Sequence, residues 1–366
     1  ACIRCLTQPL DEEACVADEV RTFRQRLERS RGLDHSPVAC SAMAQCGQCG
    51  NHDGIVIRHR HPFARFKRRV KADGQREYGI MDQKIINLFD RYTHGGMSRR
   101  DFLDKLALMA GSTAAATAML PLLENNYAHA AIVPENDPRL VLTEGEIAPG
   151  IKGLLAIPKD AKGKLPAVLV IHENRGLNPH IKDVTRRLAL EGFVAFGADY
   201  LAPAGGTPAD EEKAREMIGA LKPEDVLAYS QGAIKALAAH PQAIGKAGAV
   251  GFCWGGGMVN ALAVADPTLA AGVAYYGRQP DAAAVPAIKA PLLLHYGGLD
   301  ERINAGIADF EKALKANNKV FELYVYEGAN HAFNNDTNAA RYDKAAADLA
   351  WGRTVAFLKE NVAGTA

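Results

Sequence analysis

The chain has 366 residues, long enough for two or three ordinary domains or for one α/β domain of about 250 residues with an extension. Its hydrophobic fraction of 48% and charged fraction of 23% are those of a globular protein, which excludes a disordered or fibrous chain. A net charge of +1 gives no general electrostatic basis for nucleic acid or acidic membranes as partners.

Six of the seven cysteines (Cys2, Cys5, Cys15, Cys40, Cys46, Cys49) fall before position 50, and basic residues crowd into IRHRHPFARFKRRVK. Residues 1–80 therefore read as a cysteine-rich, basic extension, expected to be disordered or to lie outside the natural product, with a helix possible only near EVRTFRQRLERSR. Cys2-x-x-Cys5 and Cys46-x-x-Cys49 could supply the four thiolates of a zinc site, making this stretch a metal or redox module. The wide separation of the two pairs argues against that reading, and no metal is assigned. The basic run reads as a solvated arm.

At Ser98 the chain continues SRRDFLDKLALMAGSTAAATAMLPLLENNYAHAA. Arg99-Arg100, then Phe102-Leu103, a mildly apolar alanine-rich stretch and Ala128-His129-Ala130 follow the order of a twin-arginine signal peptide with an A-x-A cleavage pattern. Gly111, Ser112, Thr113 and Thr117 interrupt the apolar run, so no stable membrane anchor is expected. Residues 81–130 are thus expected to be an export signal starting at Met81 or Met97, read by the twin-arginine machinery. Cleavage near Ala130–Ala131 would leave residues 131–366 as a periplasmic or secreted protein holding one cysteine.

From about Ile132 short apolar runs alternate with helical stretches. PAVLVIH, GFVAFGAD, KAGAVGF, AAGVAYYG, APLLLHYG and KVFELYVYEG predict strands. PHIKDVTRRLALEG, ADEEKAREMIGAL, PEDVLAYSQGAIKALAAH, AGIADFEKALKAN and TNAARYDKAAADLAWGRTVAFLKENV predict helices, with MVNALAVA a further helix-like run. That alternation implies an α/β fold, a mostly parallel sheet with helices on both faces and functional residues on the loops after the strands.

Three such loops carry Cys253 in GFCWGG, Asp300 after APLLLHYGG and His331 in EGANHAF. Their order, nucleophile then acid then histidine, is that of the α/β-hydrolases, with cysteine where G-x-S-x-G places serine. A histidine in reach can take the thiol proton, a carboxylate behind it fixes its tautomer, and a helix N-terminus favours the thiolate. The backbone amides of Trp254 and, from HENRG, Asn174 are the expected oxyanion donors. No phosphate-cradling lysine accompanies the glycine-rich turn, so no nucleotide cofactor is expected, and no other cofactor is assigned.

These three motifs, together with Glu173 in HENRGLN as a fourth, make residues 150–361 resemble the dienelactone hydrolases, or carboxymethylenebutenolidases. The resemblance implies a Cys253–Asp300–His331 triad, a Glu173 that holds the resting thiol, and hydrolysis of a lactone or small ester through a thioester. It also implies arginines that grip a substrate carboxylate. Asn335 stands where one belongs, Arg215 lies near the other, and Arg175 and Arg278 are possible replacements. The alternatives are a general exported esterase without dienelactone activity and a non-catalytic exported binding protein.

Overall fold

The structure, a computed structural model, describes residues 81–129 and 132–363. The cysteine pairs, the basic run and the cleavage position at 130–131 lie outside the described residues.

The body is built on one eight-stranded sheet in the order β1-β2-β4-β3-β5-β6-β7-β8. The strands are β1 (Leu140–Ala148), β2 (Ile151–Pro158), β3 (Leu165–Ile171), β4 (Val194–Ala198), β5 (Ala243–Phe252), β6 (Gly272–Tyr275), β7 (Leu292–Gly297) and β8 (Phe321–Tyr326). β1 and β2 form an antiparallel hairpin at one edge, and every pair from β4 and β3 through to β8 is parallel. The mostly parallel α/β-hydrolase sheet expected from the sequence is what is found, with the hairpin added.

Helices cover both faces because the central strands are apolar on both. Along β3, Val168 and Val170 enter one buried cluster while Ala167, Leu169 and Ile171 enter the other. The first cluster is closed by α4 (Pro179–Leu190), through Ile181, Val184 and Leu188, and by α10 (Lys344–Leu358), through Val355, Phe357 and Leu358. The second is closed by α6 (Pro223–Ala239), α7 (Trp254–Ala265) and α9 (Ile307–Ala316). Two short helices, α5 (Glu211–Gly219) and α8 (Glu301–Asn304), stand on the loops above the sheet edge.

Local signals set these boundaries. Asn178 Oδ1 accepts the Ile181 N–H at 3.0 Å, Pro179 opens α4, and Gly192 follows its end at φ +96°. The last helix is shorter than expected. Residues 337–343 form turns, with Asn335 Oδ1 accepting from Thr337, and Asp343 then caps Lys344–Leu358.

The segment expected to be a signal folds into three helices: α1 (Gln83–Thr93), α2 (Arg99–Ala110) and α3 (Thr113–Leu123). Asp82, Ser98 and Ser112 cap them. Gly111, in the left-handed region at φ +83°, ends α2, and α3 leaves at a bend of 110°. No single helix among the described residues is long and apolar enough to cross a membrane. Ile85, Leu88, Phe89, Tyr92, Phe102, Leu106 and Leu123 form a core of their own.

Candidate active site

Parallel register brings the carboxyl ends of β3, β5, β6, β7 and β8 to one edge: Ile171 pairs with Gly251, Phe252 with Tyr275, and Gly297 with Tyr326. Cys253 follows β5 directly and precedes α7, at φ 54°, a conformation rare for a residue with a side chain. The turn is tight enough to require glycine. A Cβ on Gly251 would lie 2.1 Å from the Gly255 carbonyl oxygen, and one on Gly255 would lie 2.4 Å from that of Ile171. Trp254 is the first residue of α7, so its N–H is one of the helix's orphan donors, beside the sulfur.

Asp300 follows β7 and His331 follows β8. One carboxylate oxygen of Asp300 caps α8 by accepting the Ile303 N–H at 3.2 Å, and the other lies 2.5 Å from His331 Nδ1. With Nδ1 so engaged, His331 Nε2 is buried and carries no hydrogen bond. The structure therefore brings together the three residues the sequence singled out.

A fourth residue comes with them. His94, just after α1, places Nε2 3.2 Å from Cys253 Sγ, and its ring meets that of His331 edge to face at 4.7 Å. His94 Nδ1 lies 2.7 Å from the Asp90 carbonyl oxygen and 3.2 Å from its carboxylate. Two imidazoles, each backed by an aspartate, thus converge on one sulfur. Burial pushes the thiol pKa up, but the positive charges of His94 and His331 outweigh it and bring it down to about 6. Burial opposes charging of both rings, yet Asp300 and Asp90 hold His331 well above its usual value, and the sulfur and Asp90 raise His94.

Glu173 is 6% exposed and accepts from Asn335 Nδ2 at 2.8 Å and from the Tyr276 hydroxyl at 3.4 Å. The thiol's hydrogen-bond partner in this structure is His94, not Glu173, which corrects the expectation that Glu173 holds the resting sulfur. Asn335 is likewise corrected: it is fully buried beneath the site as a support for Glu173, not a substrate contact. Arg175 is tied to Glu211 at 2.6 Å and lines a different cavity, so it does not face Cys253. Asn174 lines the Cys253 cavity and donates its side-chain amide to the Thr93 carbonyl at 2.8 Å.

That cavity has a volume of about 450 Å³ and reaches from Cys253, Trp254 and His331 to Arg215, Arg278 and Arg302. Arg215 is held by Glu212 at 2.5 Å and by the Tyr92 carbonyl at 3.0 Å, and Arg302 by Asp90 at 3.2 Å. Arg278 is exposed at the rim.

Residues 151–362 match the dienelactone hydrolase family. The chain belongs to that family. It is a hydrolase of the dienelactone hydrolase class, and the α/β-hydrolase architecture is the family's own. A relative from Saccharolobus solfataricus, named among the carboxymethylenebutenolidases, is 34% identical over 245 residues, covering 57% of this chain and 93% of that one. A Bradyrhizobium protein named for 2-oxo-3-(5-oxofuran-2-ylidene)propanoate lactonase activity is 32% identical, covering 55% of this chain and 86% of that one. A solved structure from Klebsiella pneumoniae subsp. pneumoniae, described as a dienelactone hydrolase, superimposes with a TM-score of 0.55 at 30% identity, over 60% of this chain and 99% of that one.

Residues 80–112 match a separate family, YqhI-like, which spans α1 and α2 and includes His94. His94, Asp90 and Arg302 are the site residues that sequence reasoning missed. The available signal was α1 itself: an amphipathic helix with a capping Asp82, ending in Thr-His-Gly-Gly, is an element built to pack, unlike a leader's charged start.

Proposed function

We propose that this hydrolase cleaves a lactone or small ester carrying a carboxylate, by thiolate attack from Cys253. The observation that carries the reading is the sulfur at the strand-to-helix turn, facing a His331 whose other nitrogen is 2.5 Å from Asp300. The thiolate adds to the carbonyl carbon, and the oxyanion is met by the Trp254 amide, with a second donor expected from Asn174. Collapse breaks the acyl C–O bond, leaves a thioester on Cys253, and sends the departing oxygen a proton from the His331 imidazolium. His331 then takes a proton from water, the resulting hydroxide attacks the thioester carbon, and the thiolate leaves. Asp300 keeps Nε2 directed at these protons throughout.

Three guanidinium groups line the cavity and support an anionic substrate; Arg215 and Arg302 are paired with Glu212 and Asp90, and Arg278, exposed at the rim, is the leading anchor. Arg278→Ala is expected to raise KM for an anionic lactone about tenfold with kcat little changed, the magnitude of one charge-assisted contact. An unchanged KM for that lactone would remove Arg278 from the binding role, and equal turnover of neutral esters would favour the general esterase reading.

Export remains part of the proposal. It is supported by the Ser98-Arg-Arg-Asp-Phe-Leu motif and by the exposure of Arg99 and Arg100 at the start of α2. Cleavage near Ala130 would carry off His94 with the three helices. N-terminal sequencing of the protein recovered from the periplasm distinguishes the outcomes: a start near Ala131 supports a cleaved leader, and a start at or before Met81 supports a segment kept over the site.

A further inference from the structure

A triad requires one imidazole at its nucleophile, and this site has two. Their arrangement has a specific chemical meaning. The sulfur of Cys253 and one nitrogen from each of His94 and His331 all lie within 4.8 Å of one another. Each ring turns Nδ1 toward a carboxylate, Asp90 for His94 at 3.2 Å and Asp300 for His331 at 2.5 Å, so each Nε2 points inward. His331 Nε2 is buried, unpartnered and aimed into the cluster.

One thiolate and two carboxylate-backed imidazoles are the donor set of a zinc centre, in which outer carboxylates fix the ring tautomer and raise ligand basicity. We propose that Cys253, His94 and His331 bind one thiophilic divalent cation, with zinc the ion these donors select, and that its occupancy reversibly blocks the nucleophile. Zinc–sulfur and zinc–nitrogen bonds of about 2.3 and 2.0–2.1 Å set tetrahedral ligand atoms about 3.3–3.6 Å apart. The 3.2 Å separation of His94 Nε2 and Sγ is a few tenths of an ångström short of that spacing, and with all three atoms within 4.8 Å of one another small ring movements bring them to it. The metal accepts an electron pair from the sulfur and from each nitrogen, and any proton on those atoms goes to solvent. A fourth position faces the cavity shared by Thr93, Asn174 and Trp254, where water or substrate has access.

The decisive feature is the third ligand. His94 comes from the segment before the hydrolase body, so the triad alone offers only two donors, and the complete site exists only while that segment stays in place. The ion's effect goes beyond the proposed hydrolysis and does not depend on it, because occupancy is read without substrate.

The test uses the full chain after chelator treatment. Cys253 is alkylated with iodoacetamide at increasing concentrations of zinc chloride, and its own peptide is followed by mass spectrometry, which separates it from the other cysteines. Zinc is expected to protect Cys253, and a chelator to restore its reactivity. His94→Gln, His94→Ala and His331→Gln should each raise the zinc concentration for half-protection at least tenfold. With cobalt(II) as a spectroscopic probe, the share of the near-ultraviolet thiolate band that belongs to Cys253 should be lost in Cys253→Ala, whatever the six N-terminal cysteines contribute. His331→Gln leaves the hydrogen bonds that tie Gln83, Tyr92, Thr93 and Leu123 to the body untouched, so a weakened site in that variant cannot be blamed on their loss. Alkylation of Cys253 at the same rate with and without zinc would overturn the site. So would an unchanged half-protection concentration in either histidine's variants.

Discussion

Cys253 holds its charge against burial because of two neighbours, and removing either should be visible in its titration. The rate of Cys253 alkylation is expected to rise with pH through a midpoint near the thiol's value of about 6, since only the thiolate reacts. The sign follows from the charges: His94 favours the thiolate, so His94→Ala leaves burial less opposed and must move the midpoint upward. A midpoint that stays put or falls would show that His94 carries no charge beside the sulfur. Asp300 acts one step further out. Asp300→Asn keeps the shape of the residue but removes the carboxylate 2.5 Å from His331 Nδ1, and kcat should fall about 10³–10⁴-fold in steady-state assays. A loss under tenfold would mean that Asp90, which also raises His331, can replace it. At this scale the three residues of the proposed triad were legible because each follows an apolar strand. His94 was not, because 159 residues separate it from the sulfur it touches, and no local pattern encodes that meeting.

The β5–α7 turn depends on backbone approaching backbone, and the glycines in it are not equivalent. Gly251→Ala would put a methyl group 2.1 Å from a carbonyl oxygen that cannot rotate away, so a loss of about 3 kcal/mol or more in denaturant unfolding is expected. Gly352, exposed within α10 with nothing near a built Cβ, is the control: Gly352→Ala should raise stability by about 0.5–1 kcal/mol through helix propensity. The reverse ranking would mean that the elbow is looser than its close contacts require. The parallel strands were readable as elements because burial on both faces makes them continuous apolar runs such as LPAVLVI. β1 and β2 both escaped notice; β1 is an edge strand with mostly exposed residues, and its LVLTEGEIA mixes apolar with charged residues in place of a continuous apolar run. The first turns expected of the last helix failed for a different reason: Asn335 and Asp343 offer side-chain oxygens to nearby backbone, which favours turns and a late cap.

Over the whole molecule, the segment of α1–α3 rests on the sheet edge that carries Cys253 through polar and cation–π contacts. Tyr92 donates to Glu212 at 2.6 Å, Asn338 donates to the Leu123 carbonyl at 2.6 Å, Gln83 donates to Asn330 at 2.5 Å, and Arg341 lies over the Phe89 ring at 5.3 Å. Its apolar core is largely internal, so the sequence shows an alanine-rich run behind two arginines and gives no hint of the surface it meets. Retention and export cleavage make opposite demands on this segment, and the mature N-terminus decides between them. The claim on which everything else depends is that Cys253 is the nucleophile. It is tested most directly by mixing the full chain with a dienelactone, quenching in acid and weighing the Cys253 peptide, with turnover of Cys253→Ala measured beside it. A peptide heavier by the acyl group, together with a loss of about 10⁴-fold or more in kcat for the variant, is the expected result. Turnover by Cys253→Ala at the unaltered rate would contradict it.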